Sequence, residues 1–391
     1  MRFALTEEQR LLVETSRRFV QSQLVPLEDE VERTGALDPA KARAIFEASR
    51  ALGLYACNIP VEFGGGGLSA VDTCLVEEQF GWTTDILIRR AFGNVYEVLL
   101  LANAAQRERW LLPAVRGERT FSVAFTEPGA GSDAAGIQTR ATREGDGWRL
   151  DGQKLFISDG LFSDFFVVSA VTDPAAGARG ISLFIVDKGM PGFTVGADQP
   201  MMGLRGTSHV PLYFDGVRLG PEHLLGAEGR GLRHAFETLG RIRLAHIGAR
   251  AVGKATRLLG AMTAYAAERH QFGHPIGDHQ MIQQMLADSA MEINMARLLV
   301  LQTASRIDDG QDSREHISMV KVQAAEMLGR VADRAVQIHG GSGYAKDTLV
   351  ERLYRDARVF RIYDGTSEIH RTVIARALMK PDGASRLADI L

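Results

Sequence analysis

The chain has 391 residues, 45% of them hydrophobic and 24% charged, with a formal net charge of −3. That length fits two or three domains of roughly 150 residues, and the ordinary globular balance argues against disorder or a fibrous repeat. The slightly acidic charge offers no field for nucleic acid, and two cysteines, Cys57 and Cys74, are too few for a disulfide framework or a zinc site.

The first residues, Met1-Arg2-Phe3-Ala4-Leu5-Thr6-Glu7-Glu8, become charged before an apolar leader could form, and no uncharged apolar run reaches membrane-spanning length. The expectation is a cytoplasmic protein without membrane insertion. Thr6 with Gln9 forms a capping-box pattern ahead of Leu11, Leu12, Phe19 and Val20, which predicts a first helix. Asp38-Pro39 supplies an N-cap and a proline at the first helical position, with Gly53 as the stop. Ser69 with Asp72 opens another helix that ends at Gly81, and further helical stretches run through Leu99 and over 106–112. Gly64-Gly65-Gly66-Gly67 lacks the Lys-Ser/Thr of a phosphate loop and reads as a mobile connection. Residues 1–117 are expected to be an all-α domain.

From 118 to 230 short apolar runs dominate, among them Phe165-Phe166-Val167-Val168 and Ile181-Ser182-Leu183-Phe184-Ile185-Val186. Asp146-Gly147 and Asp151-Gly152 are hairpin signals, and no helical pattern intervenes, so the middle domain should be an antiparallel β-barrel or sandwich. Long amphipathic stretches return at about 232–268, 279–307 and 313–338, with a shorter helix from Thr366. They predict a C-terminal four-helix bundle over 231–391, ending in a tail from Pro381. The expected fold class is therefore α+β and multidomain.

Three segments carry chemistry. Phe125-Thr126-Glu127-Pro128-Gly129-Ala130-Gly131-Ser132-Asp133 leaves a strand through a glycine turn that exposes amides and small hydroxyls. Gln337-Ile338-His339-Gly340-Gly341-Ser342-Gly343-Tyr344 lets backbone approach a ligand or another subunit, although a helix cap followed by a loop explains it equally well, and His339 alone reads as a packed or capping residue. Arg361-Ile362-Tyr363-Asp364-Gly365-Thr366-Ser367-Glu368 combines a carboxylate with a helix N-cap.

Taken in order, with Arg269-His270-Gln271-Phe272-Gly273, these segments resemble the signatures of the acyl-CoA dehydrogenase family over nearly the whole chain. The resemblance implies FAD as cofactor. Phe125 and Thr126 match positions at the isoalloxazine, and Ser132 matches one touching both flavin and acyl-CoA. Phe156 and Ser158 stand where the family usually has Trp and Thr against the flavin. Arg269, Phe272, Gln280, Gln337 and Gly341 match residues that hold the adenosine and pyrophosphate half across a subunit boundary, with Thr366 and Glu368 near the same cofactor. A homotetramer, a dimer of dimers, is thereby implied, as is an electron-transfer flavoprotein as electron acceptor.

Asp364 occupies the position of the family's usual glutamate base, with Gly365 beside it in the substrate site. Its own N–H would join a flavin ribityl hydroxyl in stabilising the thioester oxygen as the α-proton leaves, while the β-hydride passes to the flavin. Aspartate here is also found in the similar cyclohexanecarboxyl-CoA dehydrogenase branch, which points to a branched or alicyclic acyl group. A base carried instead on a bundle helix is ruled out, because Gly240 and Ile242 precede Arg241 and Arg243. Either arginine could serve the substrate site, with Arg241 ranked ahead, whereas Arg89 and Arg90 read as a solvated helix face. An oxidase of the same superfamily, like nitroalkane oxidase or acyl-CoA oxidase, and a non-catalytic flavin- or acyl-CoA-binding scaffold stand as alternatives.

Overall fold

The computed structural model describes residues 4–93, 95–381 and 383; within these, the side chains of Leu239, Arg241 and Ile242 are outside the described set. The N-terminal helices are α1 (Glu7–Phe19), α2 (Glu28–Thr34), α3 (Pro39–Ala51), α4 (Ala70–Phe80) and α5 (Asp85–Phe92). Their starts follow local chemistry. The Thr6 hydroxyl accepts the Gln9 N–H at 3.2 Å while the Gln9 side chain accepts from the Thr6 N–H at 3.1 Å. Asp38 caps α3 through the Ala40 and Lys41 amides, and Ser69 caps α4 through that of Asp72.

The glycine run at 64–67 packs closely against residues 57–61. The Gly66 and Gly67 amides donate to the carbonyls of Ala56 and Ile59 at 3.2 and 2.8 Å, and a Cβ on Gly66 would come 2.8 Å from the Cys57 Cα. Glycine is needed there for close contact with residues 57–61, not for a ligand.

The middle domain is one eight-stranded sheet of β1 (Phe121–Ala124), β2 (Arg140–Glu144), β3 (Gly147–Ser158), β4 (Phe165–Val171), β5 (Ile181–Asp187), β6 (Phe193–Val195), β7 (His209–Leu219) and β8 (Leu224–Leu225). The order β6-β7-β3-β2-β4-β5-β8 is mostly antiparallel, with two departures from expectation: β1 runs parallel to β4, and β2 meets β4 in parallel at Arg140 and Val171. β2 and β3 form the hairpin, its two-residue turn falling at Gly145-Asp146. Asp151-Gly152 is no turn. It lies inside β3 at a register shift against β7, where Gly152 has φ 142° and the Asp151 carboxylate accepts the Gly216 N–H at 2.9 Å.

Every residue of Phe165–Val168 is fully buried, because β4 is covered on both faces. Phe165 and Val167 pack with Tyr96, Leu99, Trp110 and Leu111 of the N-terminal domain, while Phe166 and Val168 face β3, β6 and β7, over which the sheet folds back. Continuous apolar runs, rather than alternating ones, follow from that double cover.

The C-terminal helices are α6 (Gly231–Ile242), α7 (Arg250–Glu268), α8 (Gln280–Asp308), α9 (Arg314–His339), α10 (Leu349–Arg358) and α11 (Ser367–Leu378), with a π-helical turn, Arg243–Ala249, joining α6 to α7. Their core repeats at three- and four-residue spacing through Leu258 and Met262 of α7, Ile293, Ala296 and Val300 of α8, and Ala324, Leu328 and Val331 of α9. α10 is a helix that the sequence pattern does not announce. Its Arg352 is 3% exposed and donates to Asp29 at 2.6 Å and Glu28 at 3.3 Å, while the Asp356 carboxylate accepts the Leu204 N–H at 2.7 Å. These residues tie the bundle to the other two domains.

Candidate active site

Asp364 sits in the turn between α10 and α11, with φ 52° followed by Gly365 at φ 87°. A short polar side chain tolerates that left-handed backbone. Position 365 does not tolerate a side chain, since a Cβ would lie 2.8 Å from Nε2 of His370. The Asp364 carbonyl accepts from Arg243 Nε and His370 Nε2, each at 3.0 Å, and Ser318 Oγ lies 3.0 Å from His370 Nδ1. A carbonyl partner requires the proton on Nε2, so Nδ1 accepts from the serine. The Asp364 N–H has no acceptor among the described residues. The turn thus holds one face of the peptide rigidly and leaves the base's own amide available.

Burial, with the nearby charges of Arg243 and Lys321, pushes the His370 imidazole down to about 4 against the opposing hydrogen bond to Asp364. Between pH 6.5 and 4 the unfolded chain therefore binds the extra proton, and folded-state stability declines as pH falls, by up to about 3 kcal/mol from this residue. We expect His370→Gln to be less stable than the native chain at pH 7 and to lose much of that deficit at pH 5, measured by thermal unfolding at both values.

Lys321 lies behind the same turn, fully buried, with its Nζ unpartnered among the described residues. Desolvation pulls its ammonium down to about 8, while Asp364, Glu326 and Glu368 favour the charged form. It adds a cation near Asp364 that no sequence motif announced.

On the β-domain side, fully buried Lys154 donates to the Phe125 carbonyl at 3.1 Å, Glu127 at 2.7 Å and Ser169 at 3.0 Å. Glu127 in turn accepts the Gln138 and Thr139 amides at 2.6 and 3.1 Å. This pair fixes the strand exit, and the Glu127–Ala130 bridge folds the loop carrying exposed Ser132 back on itself. The Leu155 N–H donates to the Thr126 carbonyl at 2.8 Å, which sets Phe125 and Thr126 beside Phe156 and Ser158. Phe156 lies at a bulge with φ 59° and is 48% exposed. An aromatic residue in that backbone region is strained, and such strain collects where a ligand is held.

The donor set suits a flavin edge. The Thr126 N–H and hydroxyl and the Ser158 hydroxyl have no acceptor among the described residues, and a Cβ at Gly129 or Gly131 would meet nothing within 4 Å. We expect Phe156→Gly to leave apoprotein stability within about 1 kcal/mol, since relief of strain offsets added chain entropy. The same change should weaken FAD binding about 3–10-fold through the lost aromatic contact, read by flavin titration.

The remaining sequence candidates gather at the far end of the bundle. Arg269 caps α7, Phe272 is 90% exposed with its ring 5.9 Å from His279, and Gln280 begins α8. Gln337 and Gly341 lie nearby, because His339 stacks on Tyr265 of α7 at 4.4 Å and is capped onto the Ala335 carbonyl. His339 is therefore packed, as its solitary position suggested. Thr366 caps α11 through the Ile369 N–H at 3.2 Å, and Glu368 is exposed one residue inside that helix.

Of the two bundle arginines, Arg243 donates to the Asp364 carbonyl, and Arg241's side chain lies outside the described residues. The π turn supplies an extra residue that ordinary helical spacing cannot register. Arg89 and Arg90 are not a solvated face: their side chains are 13% and 18% exposed, paired with Asp85 and Asp159.

The three acyl-CoA dehydrogenase domain families match in succession: the N-terminal domain at residues 6–118, the middle domain at 122–217 and the C-terminal domain at 229–379. The chain belongs to the acyl-CoA dehydrogenase family, whose members are FAD-dependent oxidoreductases of acyl-CoA thioesters. It is 37% identical over 390 residues to acryloyl-CoA reductase (NADH) of Anaerotignum propionicum, covering 97% of this chain and 96% of that protein. It is also 37% identical over 383 residues to cyclohex-1-ene-1-carbonyl-CoA dehydrogenase of Geobacter metallireducens, covering 96% and 99%. The solved butyryl-CoA dehydrogenase of Megasphaera elsdenii superposes with a TM-score of 0.89 at 33% identity, over 97% of this chain and all of that one. Among the described residues no helix is long and apolar enough to cross a membrane.

Proposed function

We propose that this protein converts an acyl-CoA thioester into its 2-enoyl-CoA, with Asp364 as the base and a branched or alicyclic acyl group as substrate. The observation that carries this reading is the Asp364 peptide itself. Its carbonyl is held by Arg243 and His370 while its N–H has no acceptor among the described residues. That amide donates to the thioester oxygen as negative charge builds there, and the neighbouring carboxylate takes the α-proton. FAD, when bound against Thr126, Ser132, Phe156 and Ser158, supplies the acceptor for the β-hydride. The half-buried turn and the closed strand exit keep the acyl carbons in register between the two domains.

Aspartate is one carbon-carbon bond, ~1.5 Å, shorter than the family's usual glutamate. A bulky α-carbon within a ring brings its hydrogen closer to the base and fills the room that the shorter side chain leaves. The Geobacter relative's name, with its cyclohexene ring, supports the same substrate class. Anaerobic mixing of the FAD-loaded protein with cyclohexanecarboxyl-, isobutyryl-, butyryl- and octanoyl-CoA tests it. The highest kcat/KM should fall on a ring or α-branched thioester, and a preference for the linear chains would overturn the assignment.

The active assembly is a homotetramer, and an electron-transfer flavoprotein reoxidises the flavin. Arg243 at the base and Arg269 at the far end bound one continuous helical stretch, which puts them roughly 35–40 Å apart. A dinucleotide seated by Arg269, Phe272, Gln280, Gln337 and Gly341 would serve a second copy's Asp364 rather than its own. Met281, Met291, Met295 and Leu298 of α8 are each more than half exposed, an apolar face suited to such packing. Sedimentation of the flavin-loaded protein as a monomer would exclude this arrangement.

A further inference from the structure

The chemistry above leaves a buried group of charges unused. Glu77 of α4, Asp85 and Arg89 of α5, and Arg250 of α7 meet where the three domains join, with His246 and His209 beside them. Arg250 makes a two-pronged pair with Glu77, one arm at 3.0 Å, and reaches Asp85 at 3.9 Å. His246 Nε2 lies 3.5 Å from Glu77, and Thr207 donates to Asp85 at 3.1 Å. Arg89 donates to Asp85 through Nε, and its two terminal NH2 groups have no acceptor among the described residues. The Arg89 side chain is 13% exposed and its terminal nitrogens are not among the fully buried unpartnered atoms, so they stay open to an acceptor that a substrate brings.

This cluster adjoins the base. Arg243 holds the Asp364 carbonyl, and Arg250 follows it by seven positions on the same helical run, on the order of 10 Å along the axis. The Tyr96 and Tyr363 phenols each feel the charge of Asp364 together with those of Arg89, Asp85 and Arg250.

We propose that Arg89 binds an oxygen substituent, a hydroxyl or ring carbonyl, on the acyl group remote from the thioester. A neutral oxygen is specified by the charge count: Glu77 and Asp85 already balance Arg89 and Arg250, so a carboxylate would add an uncompensated charge. This rests on the acyl-CoA dehydrogenase reading given above and narrows its substrate.

The test uses the FAD-loaded protein under anaerobic conditions with cyclohexanecarboxyl-CoA and its hydroxy-, oxo- and carboxy-substituted forms. The hydroxy or oxo thioester should bleach the flavin with kcat/KM at least about tenfold above the unsubstituted one. In Arg89→Lys, which keeps a cation for Asp85, and in Arg89→Leu, the ratio between them should fall about 10–100-fold, as expected for a hydrogen bond to a charged group. A best rate with the unsubstituted or the carboxylated ring overturns the proposal and leaves the dehydrogenase reading standing. So does a ratio that neither variant moves while flavin content is retained. Bleaching by no thioester at all sinks both.

Discussion

Asp364→Asn will bind FAD and fold as the native chain does, yet reduction of its flavin by acyl-CoA will slow by about 10²–10⁴-fold, the usual contribution of a positioned base. Asparagine preserves the size of the side chain and a main-chain carbonyl for Arg243 and His370, so the turn should survive. What disappears is the capacity to accept a proton. Stopped-flow absorbance under argon gives the rate directly, and an unchanged reductive phase would remove Asp364 from its role. Asp364→Glu asks the complementary question. The longer side chain should reach a linear chain's α-carbon and crowd a ring, so kcat/KM for butyryl-CoA should rise relative to cyclohexanecarboxyl-CoA. A uniform loss on both substrates would mean that aspartate is not there to provide room.

The site was legible in the chain wherever local chemistry decides. Thr6, Asp38, Ser69 and Thr366 are caps whose partners lie two or three residues away, and the Asp364 turn is confined to a few neighbours. Misreadings arose where distant contacts decide. Asp151-Gly152 looks like a hairpin until β7 pairs alongside and accommodates it as a bulge, and Gly64–Gly67 looks loose until residues 57–61 pack against it. The parallel pairing of β1 with β4 is invisible to strand patterns alone. Arg89 has the spacing of an exposed helix face, but its partner Asp85 is met by Thr207, just before β7, and by Arg250 of α7, more than a hundred residues onward. Arg243 was obscured by a π turn, which shifts every later side chain relative to α6 without any marker in composition.

Arg250→Met should cost about 3–5 kcal/mol of stability, because it strips the partner from a fully buried carboxylate. Glu77 is 0% exposed, and burial already raises its carboxyl above the ordinary range despite Arg250's opposing charge and hydrogen bonds, with Asp85 raising it further. His246 offers no replacement cation, since burial holds its imidazole well below the usual value. Without the guanidinium, Glu77 must take up a proton on folding. Its folded pKa then lies further above the unfolded one, so the variant's deficit should be greatest at pH 8 and shrink as pH falls toward 5. Methionine fills most of the vacated volume, which separates this electrostatic loss from a cavity. Pairing it with Glu77→Leu should restore much of the stability and abolish the pH dependence of the difference, since an apolar pair of similar bulk often replaces a buried ion pair without loss. Thermal unfolding of the native chain, the single variant and the double variant at both pH values decides it. An equal deficit at both pH values, or a double variant no better than the single, would show that Arg250 acts by filling space where Gly81 and Gly253 bring α4 against α7.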